Sequence, residues 1–295
     1  MAYIIETQAL TKRYGQKQAV DQMSLHVEKG DIYGIIGKNG AGKTTLMKML
    51  VGLTKPTDGS IKLFGGDQLN QARRRIGSLI EAPAFYKRES ALENLRRFAL
   101  LTPTPEEELH RLLELVGLAD VGNKKAGTFS LGMKQRLGIA IALLGDPELL
   151  VLDEPINGLD PAGIKHIRDL LLELNAKGVT LLISSHLLDE LGKIATRYGI
   201  LSDGVLVEEI SAQELEEKCR ACLKLVTDNG EKAAEALRAA GMELRLEVAD
   251  NVLHIYSDTD SSEINRVLVS AGIRVYSLQD VSIGFEDFFI ERLGE

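Results

Sequence analysis

The segment Gly37-Lys38-Asn39-Gly40-Ala41-Gly42-Lys43-Thr44-Thr45 stands directly after the apolar run Ile32 to Ile36, and it leaves few folds open to the chain. Its spacing, G-x-x-x-x-G-K-[ST] between a strand and a helix, is that of a loop that wraps phosphates. The glycines let the backbone bend close to the oxygens, successive N–H groups turn inward, and the helix opening near Lys43 offers its positive dipole end to an anion. Lys43 adds a point charge for the β- and γ-phosphates, and the Thr44 hydroxyl is a ligand for Mg²⁺. A plain glycine-rich turn would not bring strand, loop and helix in this order, so the chain is read as binding a nucleoside triphosphate.

A second feature gives the loop its chemistry. At Leu149-Leu150-Val151-Leu152-Asp153-Glu154-Pro155, four apolar residues read as a buried parallel strand ending in two carboxylates. Beside a phosphate loop, Asp153 is expected in the Mg²⁺ shell, and Glu154 is placed to orient and deprotonate a water attacking the γ-phosphate. The alternative is a solvated acidic turn.

A third element, Phe129-Ser130-Leu131-Gly132-Met133-Lys134-Gln135-Arg136, opens a helix with Ser130 as its N-cap, and the helix stops at Gly145-Asp146-Pro147. Alone it is a good helix start. Ser130 stands 23 residues before Asp153, however, and there the segment resembles the LSGGQ-type signature of ATP-binding cassette proteins, with Leu131 in place of the first glycine. The resemblance covers about the first 215 residues. It implies ATP and Mg²⁺ as ligands, an adenine-stacking role for Tyr14, and nucleotide contact by Ser130, Gly132 and Asp160. The last of these lies in Asn157-Gly158-Leu159-Asp160, similar to the loop through which two cassettes communicate. His186, after Ser184-Ser185, matches the family's γ-phosphate switch histidine.

One position departs from the general family pattern. Where a metal-sensing glutamine is usual, the sequence reads Ile80-Glu81-Ala82-Pro83, and the spelling I-G-S-L-I-E-A-P-A-F-Y looks like the bacitracin-resistance and lantibiotic-immunity branch. Glu81 is therefore counted with the metal-site residues. The resemblance implies an ATPase that pairs with itself or a related cassette, drives a separate transmembrane permease, and lies on the inner face of the cell membrane. A soluble cassette switch on a ribosome or DNA is the alternative. A P-loop kinase or GTPase is a third, which Ser130 to Arg136 and His186 oppose.

Composition agrees. With 295 residues, 44% hydrophobic and 26% charged, the chain can bury a core and has the length of two domains. No apolar run approaches the ~20 residues that span a bilayer, and Met1-Ala2-Tyr3 opens into an alternating strand without a signal peptide, so a cytoplasmic location is expected. A net charge of -8 argues against nucleic acid as a partner. Arg73-Arg74-Arg75 reads as a solvated face. Cys219 and Cys222 form a C-x-x-C with nothing to complete a metal site, and read as reduced structural cysteines.

The expected architecture is α/β: a P-loop cassette over residues 1–218, with a mainly parallel sheet, an antiparallel β subdomain and a helical insertion at about 83–146. Strands are expected at Ile4 to Leu10 and Gln18 to Val27, and helices at Lys43 to Leu53 and Leu187 to Ala195. From residue 219 to 295 the order β-α-β-β-α-β predicts a ferredoxin-like domain. It includes a hairpin starting at Glu243 and a last segment from Ile283 to Leu293.

Overall fold

The computed structural model of the protein describes residues 3–219, 222–242, 244–256, 259–281 and 285–292. Glu243, Ile283 and Leu293, where expected segments begin or end, lie outside the described residues, as do Met1 and Ala2.

Six strands form the central sheet in the order Val205–Ser211, Arg197–Ser202, Ile32–Gly37, Thr180–Ser185, Leu149–Asp153, Ile76–Leu79. The last five pair in parallel. Val205–Ser211 returns antiparallel through Asp203 and Gly204, both at positive φ as a two-residue hairpin requires. Ile32–Gly37, Leu149–Asp153 and Thr180–Ser185 are buried along their whole length, because a parallel sheet is covered on both faces. Their C-terminal ends point the same way, which gathers the phosphate loop, Asp153 and Ser184 at one edge.

A second, antiparallel sheet is built on Tyr3–Tyr14, which pairs with Lys17–Met23, His26–Glu28 and Asp58–Leu63. The single strand expected over Gln18 to Val27 is two, parted at Ser24 and Leu25, where the Thr7 hydroxyl donates to the Met23 carbonyl and accepts the Leu25 N–H. The helix Lys43–Val51 fills the space between the sheets. Its Leu46, Met47 and Leu50 share one core with Ile4, Leu10 and Val20 of the antiparallel sheet and Ile35, Val151 and Leu182 of the parallel one. It stops short of Leu53 because Gly52 takes a left-handed cap at φ +89. The helix expected over Leu187 to Ala195 is shorter, Leu188–Gly192.

Between Pro83 and Asp146 stand the helices Ala91–Ala99, Glu106–Leu115 and Leu131–Ala142. The third lies hard against the strand Ile76–Leu79. A Cβ on Gly77 would come within 1.9 Å of the Ala142 carbonyl oxygen, and one on Gly138 within 3.0 Å of Leu79 and 2.9 Å of Pro83. Gly77 thus lets the strand meet the helix backbone, and Gly138 leaves room on the helix for the side chains of Leu79 and Pro83.

The chain divides into two compact units, one reaching residue 212 and taking in 289–292, the other Gln213–Phe288. The sequence reading put the division at 218/219 and left the tail with the second unit. The tail joins the first because its apolar residues find cover there: Phe289 is buried with its ring 5.8 Å from that of Tyr198, and Arg292 pairs with Glu208 at 2.9 Å. In the second unit the strands stand in the order Arg245–Ala249, Val252–Tyr256, Cys222–Thr227, Val275–Val281, all antiparallel. The helices Gly230–Ala239 and Ser261–Ser270 pack Ala233, Leu237, Ile264 and Leu268 onto Leu225, Leu253 and Ile255. This is the ferredoxin-like arrangement. Cys219 and Cys222 are free thiols, both pushed up by burial.

Candidate functional site

The phosphate loop is shaped by what its glycines allow. Gly40 and Gly42 stand at φ +89 and +101, and at Gly42 a Cβ would also come within 2.5 Å of the Ala19 carbonyl oxygen. Lys38, Asn39 and Gly40 are exposed, and Ala41 is buried beneath them. The helix begins at Lys43 with Gly42 at its N-cap, which has no side chain to cap the first N–H groups, so an anion in the loop is a fitting partner for them. Lys43 is only 6% exposed and its Nζ donates to the Gly37 and Lys38 carbonyls at 2.5 and 3.4 Å. Its Nζ also stands 3.6 Å from Glu154 Oε1.

Across the strand ends runs a hydrogen-bonded chain. Thr44 Oγ1 donates to Asp153 Oδ2 at 2.8 Å, and Ser184 Oγ donates to Asp153 Oδ1 at 2.6 Å. The Glu154 N–H donates to Ser184 Oγ at 3.0 Å, and Glu154 Oε2 meets His186 Nδ1 at 2.7 Å. The structure therefore joins Lys43, Thr44, Asp153, Glu154 and His186 in one network. Sequence reasoning missed Ser184, although a hydroxyl inside a fully buried strand demands a partner and could have been read as one. Glu154 sits at φ +50, a left-handed conformation that costs an L residue roughly 1–2 kcal/mol.

Ser130, Gly132 and Asp160 are brought together elsewhere, around a cavity of about 410 Å³. Both acceptor side chains cap helices: Ser130 accepts from the Met133 N–H at 3.3 Å, and Asp160 from the Gly163 N–H at 3.0 Å. Leu131 is half exposed, and its Cδ2 lies 3.1 Å from where a Cβ on Gly158 would stand. Tyr14, 50% exposed at the end of its strand, has Lys12 Nζ 5.0 Å from its ring centre. Thr45 is half-buried on the loop helix. Glu81, in the left-handed region at φ +60, accepts from Lys48 Nζ at 2.6 Å.

Residues 20–157 match the ABC transporter family. The bacitracin transport ATP-binding protein BcrA of Enterococcus faecalis is 42% identical over 300 residues, covering 100% of this chain and 97% of that protein. The chain belongs to the ABC transporter ATP-binding family. BcrA of Bacillus licheniformis is 41% identical over 100% of this ABC protein and 98% of its own length. The lantibiotic transport ATP-binding protein SrtF of Streptococcus pyogenes is 41% identical over 70% of it and 90% of SrtF. Among solved structures, a nucleotide-free ATP-binding cassette from an ABC transporter superposes with a TM-score of 0.67 at 29% identity, over 73% of this chain and 94% of that one. A dimeric, post-hydrolysis structure of the cassette MJ0796 bound to ADP and Pi gives 0.64 at 25% identity, over 70% and 98%. The ABC protein is thus an ATP-binding ATPase whose hydrolysis powers transport. Among its described residues no helix is long and apolar enough to cross a membrane.

Proposed function

We propose that this ABC ATPase works from the inner face of the cell membrane on a separate permease that exports or removes antimicrobial peptides or similar hydrophobic compounds. The observation that carries the reading is the match to two bacitracin transport ATP-binding proteins over all of this chain, second unit included.

In this reading the phosphate loop from Gly37 to Thr45 cradles ATP and Tyr14 stacks on the base. Lys43 faces the β- and γ-phosphates. Thr44 and Asp153 offer adjacent hard oxygen donors, which fit Mg²⁺. Among the described residues no group of three or more His, Cys, Asp or Glu could hold a metal, and Mg²⁺ in such sites takes only one or two protein ligands besides the phosphates. Mg²⁺, when bound, neutralises charge on the phosphates. Glu154 takes the proton of the attacking water, and His186, bonded to its carboxylate, orients it.

Ser130, Gly132 and Asp160 complete the site of an opposite subunit, either a second copy of this chain or a related cassette. ATP joins the two, and loss of the γ-phosphate lets them part.

The test uses tagged Glu154→Gln, purified from the source cell's detergent-solubilised membranes in MgATP. A polytopic membrane protein is expected to co-purify. Ribosomes, DNA-bound proteins or no membrane partner would replace this reading with that of a soluble switch. For the cargo, cells lacking the chain become more sensitive to bacitracin or a lantibiotic, and the wild type restores resistance while Glu154→Gln does not. Unchanged sensitivity to both rejects the cargo class.

A further inference from the structure

Lys48 lies outside the phosphate-loop pattern, on the helix Lys43–Val51 four residues after Thr44, and so on the same face one turn further along. Its ammonium donates to Glu81 Oε1 at 2.6 Å, with Asp153 and Tyr14 in electrostatic reach. Two polar pairs therefore stand one above the other on this helix face: Thr44 with Asp153, and Lys48 with Glu81. The first closes the phosphate side of the site. The second ties the loop after the strand Ile76–Leu79 to the same helix.

A carboxylate near a triphosphate raises an electrostatic difficulty. The nucleotide carries several negative charges, and like charges a few ångströms apart at a protein surface repel appreciably. Asp153 has Thr44 and Ser184 as donors, and Glu154 has Lys43 and His186 beside it. Glu81 has Lys48. Glu81 also holds a left-handed backbone, which an L residue keeps only when its surroundings fix it.

We propose that Lys48 is a positioning residue for Glu81: it cancels the charge of that acid and holds it on the nucleotide-binding helix, so that a carboxylate can stand beside bound ATP. The inference rests on the ATPase reading of the loop. It makes the side chain at position 48 matter only while position 81 is an acid.

The experiment compares the purified full-length chain with Lys48→Met, Glu81→Gln, the double variant and Lys48→Arg. It reads affinity for a fluorescent ATP analogue in EDTA and then in excess Mg²⁺, beside the Mg²⁺ concentration that half-activates hydrolysis. Lys48→Met is expected to weaken Mg²⁺-free binding about three- to tenfold through the unmasked acid, and to weaken it less in Mg²⁺. The double variant returns to within about twofold of wild type, and Lys48→Arg keeps wild-type affinity. The proposal is overturned if Lys48→Met binds as wild type does. It is equally overturned if the double variant stays as weak as Lys48→Met, since the lysine would then act on the nucleotide or the helix directly. A wild-type chain that binds no ATP at all would instead remove the underlying ATPase reading. Lys48→Arg keeps the test informative if Lys48→Met does not fold, because loss of affinity in a folded, charge-retaining variant also counts against the proposal.

Discussion

Glu154 is held at a backbone conformation that most glutamates avoid, and its neighbours explain how. Its N–H is fixed by Ser184 Oγ at 3.0 Å and its carboxylate by His186 at 2.7 Å, with Lys43 Nζ 3.6 Å away. Removing the carboxylate's basicity leaves those contacts largely in place. Glu154→Gln should therefore bind ATP as wild type does while turnover falls ~10²–10⁴-fold, read as kcat in a steady-state phosphate-release assay; equal turnover would remove Glu154 from its role. Ser184 serves Asp153 and Glu154 at once, so Ser184→Ala strands a buried acceptor. It should cost about 1–3 kcal/mol in denaturant unfolding and slow hydrolysis. Lys43, Thr44, Asp153 and Glu154 were legible because phosphate chemistry ties residue type to position, whereas His186 was expected only through the resemblance to the cassette family. For Ser184 the sequence carried only the demand of a buried hydroxyl for some partner, and Lys48, outside the phosphate-loop pattern, takes its meaning only from the acid it meets.

Among the elements, the helix Ala91–Ala99 opens with a reciprocal cap in which Ser90 Oγ accepts the Glu93 N–H and Glu93 accepts the Ser90 N–H. These bonds from Ser90 hold the Glu93 carboxyl down to about 2, against an ordinary 4.5. A carboxyl whose folded value is depressed stabilises the fold above its unfolded value and loses that contribution as pH falls toward the folded one. Glu93→Gln should thus melt below wild type at about pH 6, with a gap that shrinks by about pH 3. The effect is small, as the group is exposed and screened. Alternating and 3.6-residue patterns gave most elements their type. They could not place the break at Ser24 and Leu25, because it is held by Thr7 of a neighbouring strand. Gly77 likewise reads as an ordinary strand glycine until the helix Leu131–Ala142 is seen against it. Gly77→Ala drives a methyl into the Ala142 carbonyl and should cost at least about 1–3 kcal/mol in thermal unfolding.

For the whole molecule, the ferredoxin-like order of the second unit followed from its rhythm of strands and helices. The return of the tail to the first unit did not, because a single phenylalanine does not announce which surface will cover it. Phe289 is fully buried near Tyr198, so Phe289→Ala should destabilise the first unit by about 3–5 kcal/mol in denaturant unfolding. At the level of assembly, size-exclusion chromatography of Glu154→Gln should show a dimer in ATP and a monomer in ADP. A monomer in both would contradict a site shared between two cassettes.

The backbone contact at Gly77 leaves no slack between the helix that Ser130 caps and the strand that runs toward Glu81. Flexible side chains would cushion a shift of one against the other, but two abutting main chains transmit it. Helix and strand therefore behave as one stiff lever, with the serine at one end and the lysine-bound acid beyond the other.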